Sequence, residues 1–236
     1  MHILLFGGNG QVGWELQRTL LPLGAIHAFD YPQVDFLNLP ALRDVVREAN
    51  PDLIVNAAAY TAVDKAESEP DRAQAVNAEA PGLLAEEARR LGIGLVHYST
   101  DYVFDGKKGA PYTEEDTPNP LNVYGQTKLD GDRAIQASGA RHLILRTSWV
   151  YGARGSNFFL TMLRLARERR ELRVVDDQIG SPTWSRSIAA VTAEILQTAF
   201  DGEHASIQWD EKIPSGIYNA RTKSPLKSGS YRRPRF

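Results

Sequence analysis

The spacing Gly7-x-x-Gly10-x-x-Gly13 follows directly on an apolar run, His2-Ile3-Leu4-Leu5-Phe6, and opens a stretch with helical periodicity. Few folds place glycines there. The first permits a tight turn off a buried strand, the second lets backbone N–H groups approach a pyrophosphate, and the third lets the next helix pack close on the sheet. That helix also presents aligned N–H groups and the positive end of its dipole to phosphates. A glycine-rich turn can also be purely structural, so the rest of the chain must supply the context for a dinucleotide site.

Short β-rich apolar runs alternate with helical patterns. Strands are predicted over 3–6, 25–29, 53–56, 95–98 and 143–146, with a sixth over 172–175. Helices are predicted over about 11–21, 39–49, 70–91, 119–137 and 157–169, with another over 185–200. Pro70 suits a first helical turn and Gly92 a helix exit. This alternation is that of an α/β fold, a Rossmann-type doubly wound parallel sheet. The expected organisation is a dinucleotide-binding domain over 1–150 and elements of a smaller substrate lobe, partly interleaved with it, over 151–220. The stretch 221–236, rich in Lys, Arg, Ser and Pro, reads as a disordered or non-native tail.

Asp30 closes the second strand, 23 positions after Gly7, where a carboxylate can accept from the adenosine ribose hydroxyls and would repel a 2′-phosphate. That favours NADH, while Arg18 and Arg43, close by in sequence, keep NADPH open; a solvated loop carboxylate is the plain alternative.

At 236 residues, with 42% hydrophobic and 24% charged residues and a net charge of -2, the chain carries no nucleic-acid or membrane footprint. It has no cysteine, which excludes disulfides and thiolate metal sites. Its five histidines lack metal-ligand spacing, so no metal is expected from the residues. His97, inside a strand pattern, reads as a satisfied core histidine. The N-terminal run is too short and lacks the basic flank for a signal peptide, which makes a cytoplasmic location the expectation.

The chemistry is expected further on. Tyr124 and Lys128 stand at i and i+4 on one helix face, where an ammonium beside a phenol favours the phenolate and makes the tyrosine a usable proton donor and acceptor. Ser99-Thr100-Asp101 end the fourth strand, at the sheet edge where ligands collect, and the Thr100 hydroxyl can bond a carbonyl oxygen or the phenol. Alone, the Tyr-Lys pair is two helix residues, and the Ser-Thr-Asp run is a turn or cap. Trp149 reads either as a core aromatic or as a stacking surface for a flat ligand.

The glycine turn, Ser99-Thr100-Asp101-Tyr102-Val103-Phe104, Tyr124-Gly125-Gln126-Thr127-Lys128 and Arg146-Thr147-Ser148-Trp149-Val150-Tyr151 follow one another in this order. So ordered, the chain resembles the extended short-chain dehydrogenases and, among them, the dTDP-4-dehydrorhamnose reductases. Gly13-Trp14-Glu15-Leu16-Gln17, the segment 55–67, Asp177-Gln178 and Gly180-Ser181-Pro182-Thr183 extend the likeness over about 1–219. The resemblance implies NADH or NADPH as cofactor, a nucleotide-sugar substrate, frequent homodimers and, in some members, a magnesium ion. It implies that Tyr124 gives a proton to the sugar C4 oxygen, that Lys128 tunes Tyr124 and holds the nicotinamide ribose, and that Thr100 orients the ketone. It places Asp101 and Trp149 against the sugar nucleotide and lines the cofactor with Gly10, Gln11, Val12, Asp30, Asp35, Phe36, Ala59, Tyr60 and Thr61.

Members of that family continue for several dozen residues past the strand at Gly216-Ile217-Tyr218, so the substrate lobe is expected to be small and incomplete here. Two other readings stand beside the reductase. One is a related nucleotide-sugar epimerase or dehydratase, although dehydratases carry an Asp-Glu pair after the threonine where this chain has Asp101-Tyr102. The other is a non-catalytic regulatory subunit that keeps the fold.

Overall fold

The computed structural model describes residues 1–174, 178–204, 206–221 and the backbone of 226–227. Five strands, β1 (His2–Phe6), β2 (Ala25–Phe29), β3 (Leu53–Asn56), β4 (Gly94–Thr100) and β5 (Arg141–Thr147), form one sheet with a sixth, β6 (Gly216–Asn219). Their order is β6-β5-β4-β3-β1-β2, and every pairing is parallel. The helices are α1 (Gln11–Thr19), α2 (Leu39–Ala49), α3 (Pro70–Gln74), α4 (Ala80–Leu91), α5 (Val123–Ser138), α6 (Phe158–Glu168) and α7 (Ser185–Thr198). The expected doubly wound architecture is present. The sheet reverses its strand order between β1 and β3, which is where such folds form a crevice.

The four inner strands β1, β3, β4 and β5 are buried on both faces, and their residues alternate between two cores. Ile3, Leu5, Leu53, Val55, Val96, Leu143 and Leu145 share one core with Leu16 of α1, Leu20 just after it, and Ile188, Ala189, Ala193 and Leu196 of α7. Leu4, Phe6, Ile54, Leu95 and Ile144 share the other with Leu42 and Val46 of α2, Leu84 and Ala88 of α4, and Ile135 of α5. Both α7 and β6 come from the segment 151–220 and pack with the sheet and core that the first 150 residues build.

One strand expectation fails. Residues 172–174 form no strand, with Leu172 half-exposed and Val174 exposed, and Val175 lies outside the described residues. The place beside β5 is taken by Gly216–Asn219, in register with Leu143–Arg146. Most of the expected tail over 221–236 also lies outside the described residues. Leu226–Lys227 pairs antiparallel with Ile179–Gly180.

A buried carboxylate ties α2 to α4. Glu87 accepts from Arg43 at 2.6 Å, from Arg47 at 3.0 and 3.1 Å, and from Arg90 at 2.7 Å. Burial pushes this carboxyl up, but the hydrogen bonds from Arg47, Arg90 and Arg43 outweigh it and bring Glu87 down to about 2. Because the folded-state value lies below the ordinary 4.5, this stabilisation is complete above the ordinary value and is lost as pH falls toward 2. Chemical denaturation between those limits should therefore show a steeper loss of stability in the native chain than in Glu87→Gln, which has no carboxylate to titrate.

Candidate active site at the carboxyl edge of the sheet

Where β1 ends, Gly7 turns with φ +79°, a left-handed conformation that favours glycine. A Cβ there would lie 2.5 Å from the Ala58 nitrogen and 2.6 Å from the Ala57 carbonyl carbon, so only glycine lets β1 and β3 converge. A Cβ on Gly13 would sit 2.0 Å from the Gly7 oxygen, which explains how α1 lies so tightly on the turn. The first turn of α1 has no side-chain cap and no acidic residue, leaving its N–H groups and dipole for an anion. These features fit a dinucleotide pyrophosphate.

The expected lining residues divide into groups. Asp30 accepts from the backbone N–H of Asn9 at 2.8 Å and of Tyr31 at 2.8 Å, so its carboxylate is fixed beside the glycine turn. Arg18 is paired with Glu15 and lies over the Trp14 ring, and Arg43 is bound to Glu86 and Glu87, so neither reaches toward Asp30. Asp35 accepts from the Leu37 N–H at 3.0 Å. Phe36 is a core residue, edge-on to Phe6 at 5.5 Å, and Val12 packs against the core. Gln11 accepts from Asn157 Nδ2 at 2.9 Å, joining the cofactor turn to the cap of α6.

β4 ends in Thr100, opposite Thr147 of β5. The Asp101–Val103 turn follows, and the Tyr102 N–H donates to the Thr100 hydroxyl at 3.2 Å. α5 begins where Asn122 accepts from the Gly125 N–H at 2.7 Å and Glu67 from the Val123 N–H at 2.9 Å. Glu67 therefore positions the helix that carries Tyr124. A Cβ on Gly125 would lie 2.2 Å from the Tyr102 oxygen, so the glycine in Tyr124-Gly125 seats α5 against the turn after Thr100. Tyr124 meets the Tyr102 ring edge-on at 5.5 Å.

Burial pushes Tyr124 up to about 12, with the Thr100 hydrogen bond opposing it and Asp101, Tyr102 and Asp132 reinforcing it. Lys128 was expected to depress this phenol. Instead its Nζ is directed into the sheet, donating to the Tyr98 carbonyl at 2.7 Å and lying 3.1 Å from His97 Nε2. Burial brings Lys128 down to about 8, against a pull upward from Asp132. The structure thus gives a protonated phenol and an amine whose proton is labile near neutrality. Burial also raises Asp101, whose carboxylate accepts from Ser148.

Asn77, which no sequence motif singled out, links the cofactor segment to α5. It lies in a π-helical turn, Ala75–Glu79, between α3 and α4, and such turns often mark functional positions. Its side chain accepts from the Tyr60 N–H at 2.9 Å and donates to the Tyr60 oxygen at 3.1 Å and the Thr127 hydroxyl at 3.2 Å. The stretch Ala59–Thr61 is held through it to the helix bearing Tyr124 and Lys128. Trp149 has φ +43° and its indole covers Gly180, where a Cβ would fall 2.2 Å from the ring. Its neighbour Ser148 joins it to Asp101, so both expected substrate contacts lie at one edge of the site. Among the described residues no cluster of three or more His, Cys, Asp or Glu side chains could hold a metal ion, and no helix is long and apolar enough to cross a membrane.

Residues 1–218 match the family described as RmlD substrate binding domain. The dTDP-4-dehydrorhamnose reductase of Escherichia coli K12 is 53% identical over 205 residues, covering 85% of this chain and 69% of that protein. The chain belongs to the dTDP-4-dehydrorhamnose reductase family. The Salmonella typhimurium reductase is 52% identical, covering 94% of this chain and 82% of its own. A crystal structure of the Bacillus anthracis dTDP-4-dehydrorhamnose reductase in complex with NADP superposes with a TM-score of 0.85 at 36% identity, over 96% of this chain and 76% of that one. The glycine turn, Thr100, Tyr124 and Lys128 of this family member all stand at one sheet edge.

Replacing Asn77 with Leu strands the buried Tyr60 backbone groups, each worth roughly 1–3 kcal/mol when left without a partner. Urea denaturation should register that loss, and titration with reduced dinucleotide should show weaker binding.

Proposed function

We propose that this chain is an NAD(P)H-dependent reductase of the C4 keto group of dTDP-6-deoxy-L-lyxo-4-hexulose, yielding dTDP-L-rhamnose. The observation that carries the reading is the Tyr124 phenol, kept protonated beside Thr100 at the sheet edge that also bears the glycine turn. When bound, the reduced dinucleotide supplies hydride to the carbonyl carbon. Thr100 directs its hydroxyl to the ketone oxygen. Tyr124 gives its O–H proton to that oxygen as negative charge develops there, and Lys128 tunes Tyr124 and holds the nicotinamide ribose. Asp101 and Trp149 take the sugar nucleotide. Gly7, Gly10, Gln11, Val12 and Gly13 receive the pyrophosphate, Asp30 the adenosine ribose, and Asp35, Phe36 and Ala59–Thr61 the remaining cofactor surface.

The reading makes the chain a cytoplasmic enzyme, because nucleotide sugars and reduced dinucleotides are made and consumed there. It also makes it a homodimer, as its family resemblance implies.

Loss of cofactor absorbance at 340 nm, seen with purified chain only when the keto sugar is present, is the expected result. Consumption of neither NADH nor NADPH, with cofactor binding intact, would overturn it. Tyr124→Phe should lower kcat by roughly 10²–10⁴, the usual worth of general acid catalysis, and leave cofactor affinity within about twofold. Asp30→Ser removes the carboxylate that a 2′-phosphate would meet. The ratio of kcat/KM for NADPH to that for NADH should rise by about tenfold, close to 1.4 kcal/mol.

A further inference from the structure

We propose that Asn56 and His97 form a buried tautomer lock that sets when Lys128 holds its proton, which makes His97 a positioning residue for the Tyr124–Lys128 pair. Four groups form a chain of donors and acceptors. The Ala58 N–H, at the end of β3, donates to Asn56 Oδ1 at 3.1 Å. A backbone N–H can only donate, so the amide oxygen must face it and the Asn56 Nδ2 must face His97 Nδ1, 3.1 Å away. An amide nitrogen also only donates. His97 Nδ1 is therefore the acceptor, and the neutral ring carries its proton on Nε2.

That Nε2–H points at Lys128 Nζ, 3.1 Å away, while Nζ donates to the Tyr98 carbonyl. An ammonium there confronts another donor, whereas a neutral amine accepts from it. His97 and Asn56 are both fully buried, so no water rearranges the pattern at low cost. Burial and the nearby Lys128 hold His97 well below its ordinary range, which keeps the ring neutral. The other ionisable groups near Lys128 are Asp132 one turn ahead, paired with Arg146 of β5, and Tyr124 one turn back; the Tyr98 hydroxyl is turned away to Thr192. His97 presents a donor to Nζ, so it opposes the pull of Asp132 on the Lys128 proton.

The consequence for turnover rests on the reductase reading; the lock itself does not. Long-range ¹H–¹⁵N correlation on the full chain reads which His97 nitrogen is protonated, and ¹³Cε-labelled lysine reads the Lys128 titration. The wild type should keep the proton on Nε2 over about pH 6 to 9, with Lys128 titrating at about 8. Asn56→Leu removes the donor that pins Nδ1, which frees Nε2 to accept from the ammonium, so the Lys128 midpoint should rise by about one unit or more. The basic limb of kcat should move up with it, since activity is lost as Lys128 loses its proton. A wild-type proton on Nδ1, or an unchanged Lys128 midpoint in the variant, overturns the lock. Absence of turnover in every form, with both magnetic-resonance results as expected, refutes the reductase reading and leaves the lock standing.

Discussion

Lys128 is 1% exposed, and an isolated buried ammonium carries a desolvation penalty of several kcal/mol unless it is paired and hydrogen-bonded. Its acceptor, the Tyr98 carbonyl, belongs to β4, so α5 can keep its lysine buried only while it stays seated on that strand. The same seating brings Tyr124 to Thr100 and requires glycine at 125, where the helix backs onto the Tyr102 carbonyl. Gly131 has the same function one face over: a Cβ there would fall 2.1 Å from the Asn77 oxygen. The π-turn around Asn77 and the cofactor segment at Tyr60 are thereby drawn to the same helix.

Burial shifts the Tyr124 phenol and the Lys128 amine toward their neutral forms. It raises the phenol, which keeps Tyr124 protonated, and lowers the amine, which frees the Lys128 proton. The sequence sets an ammonium beside the phenol; in the structure the Lys128 Nζ instead points into the sheet, to the Tyr98 carbonyl and His97.

Most of the fold could be read from periodicity, since strands buried on both faces and amphipathic helices leave strong local patterns. Gly216–Asn219 took the sixth sheet position in place of 172–175, because strand choice at a sheet edge depends on pairing with β5 and not on local composition. Thr100, Tyr124 and the glycine turn were legible because strand ends and helical i, i+4 spacing determine where those residues point. Asn77, Ser148, Glu67 and Asn56 were not, because their partners stand 17 to 56 positions away or act through backbone groups that no motif marks. For Asn77 the partners are Tyr60 and Thr127, and for Ser148 the partner is Asp101. Phe36 and Gln11 show the converse: motif-matched residues whose side chains are engaged by the core and by Asn157.

The central claim is that this sheet edge delivers hydride and proton to opposite atoms of one C4 carbonyl. It is tested most directly by following label from reduced dinucleotide carrying deuterium at nicotinamide C4. The account predicts one deuterium at C4 of the product sugar in wild type and almost no labelled product in Tyr124→Phe. Deuterium at any other sugar carbon, or labelled product formed equally well by Tyr124→Phe, would contradict it.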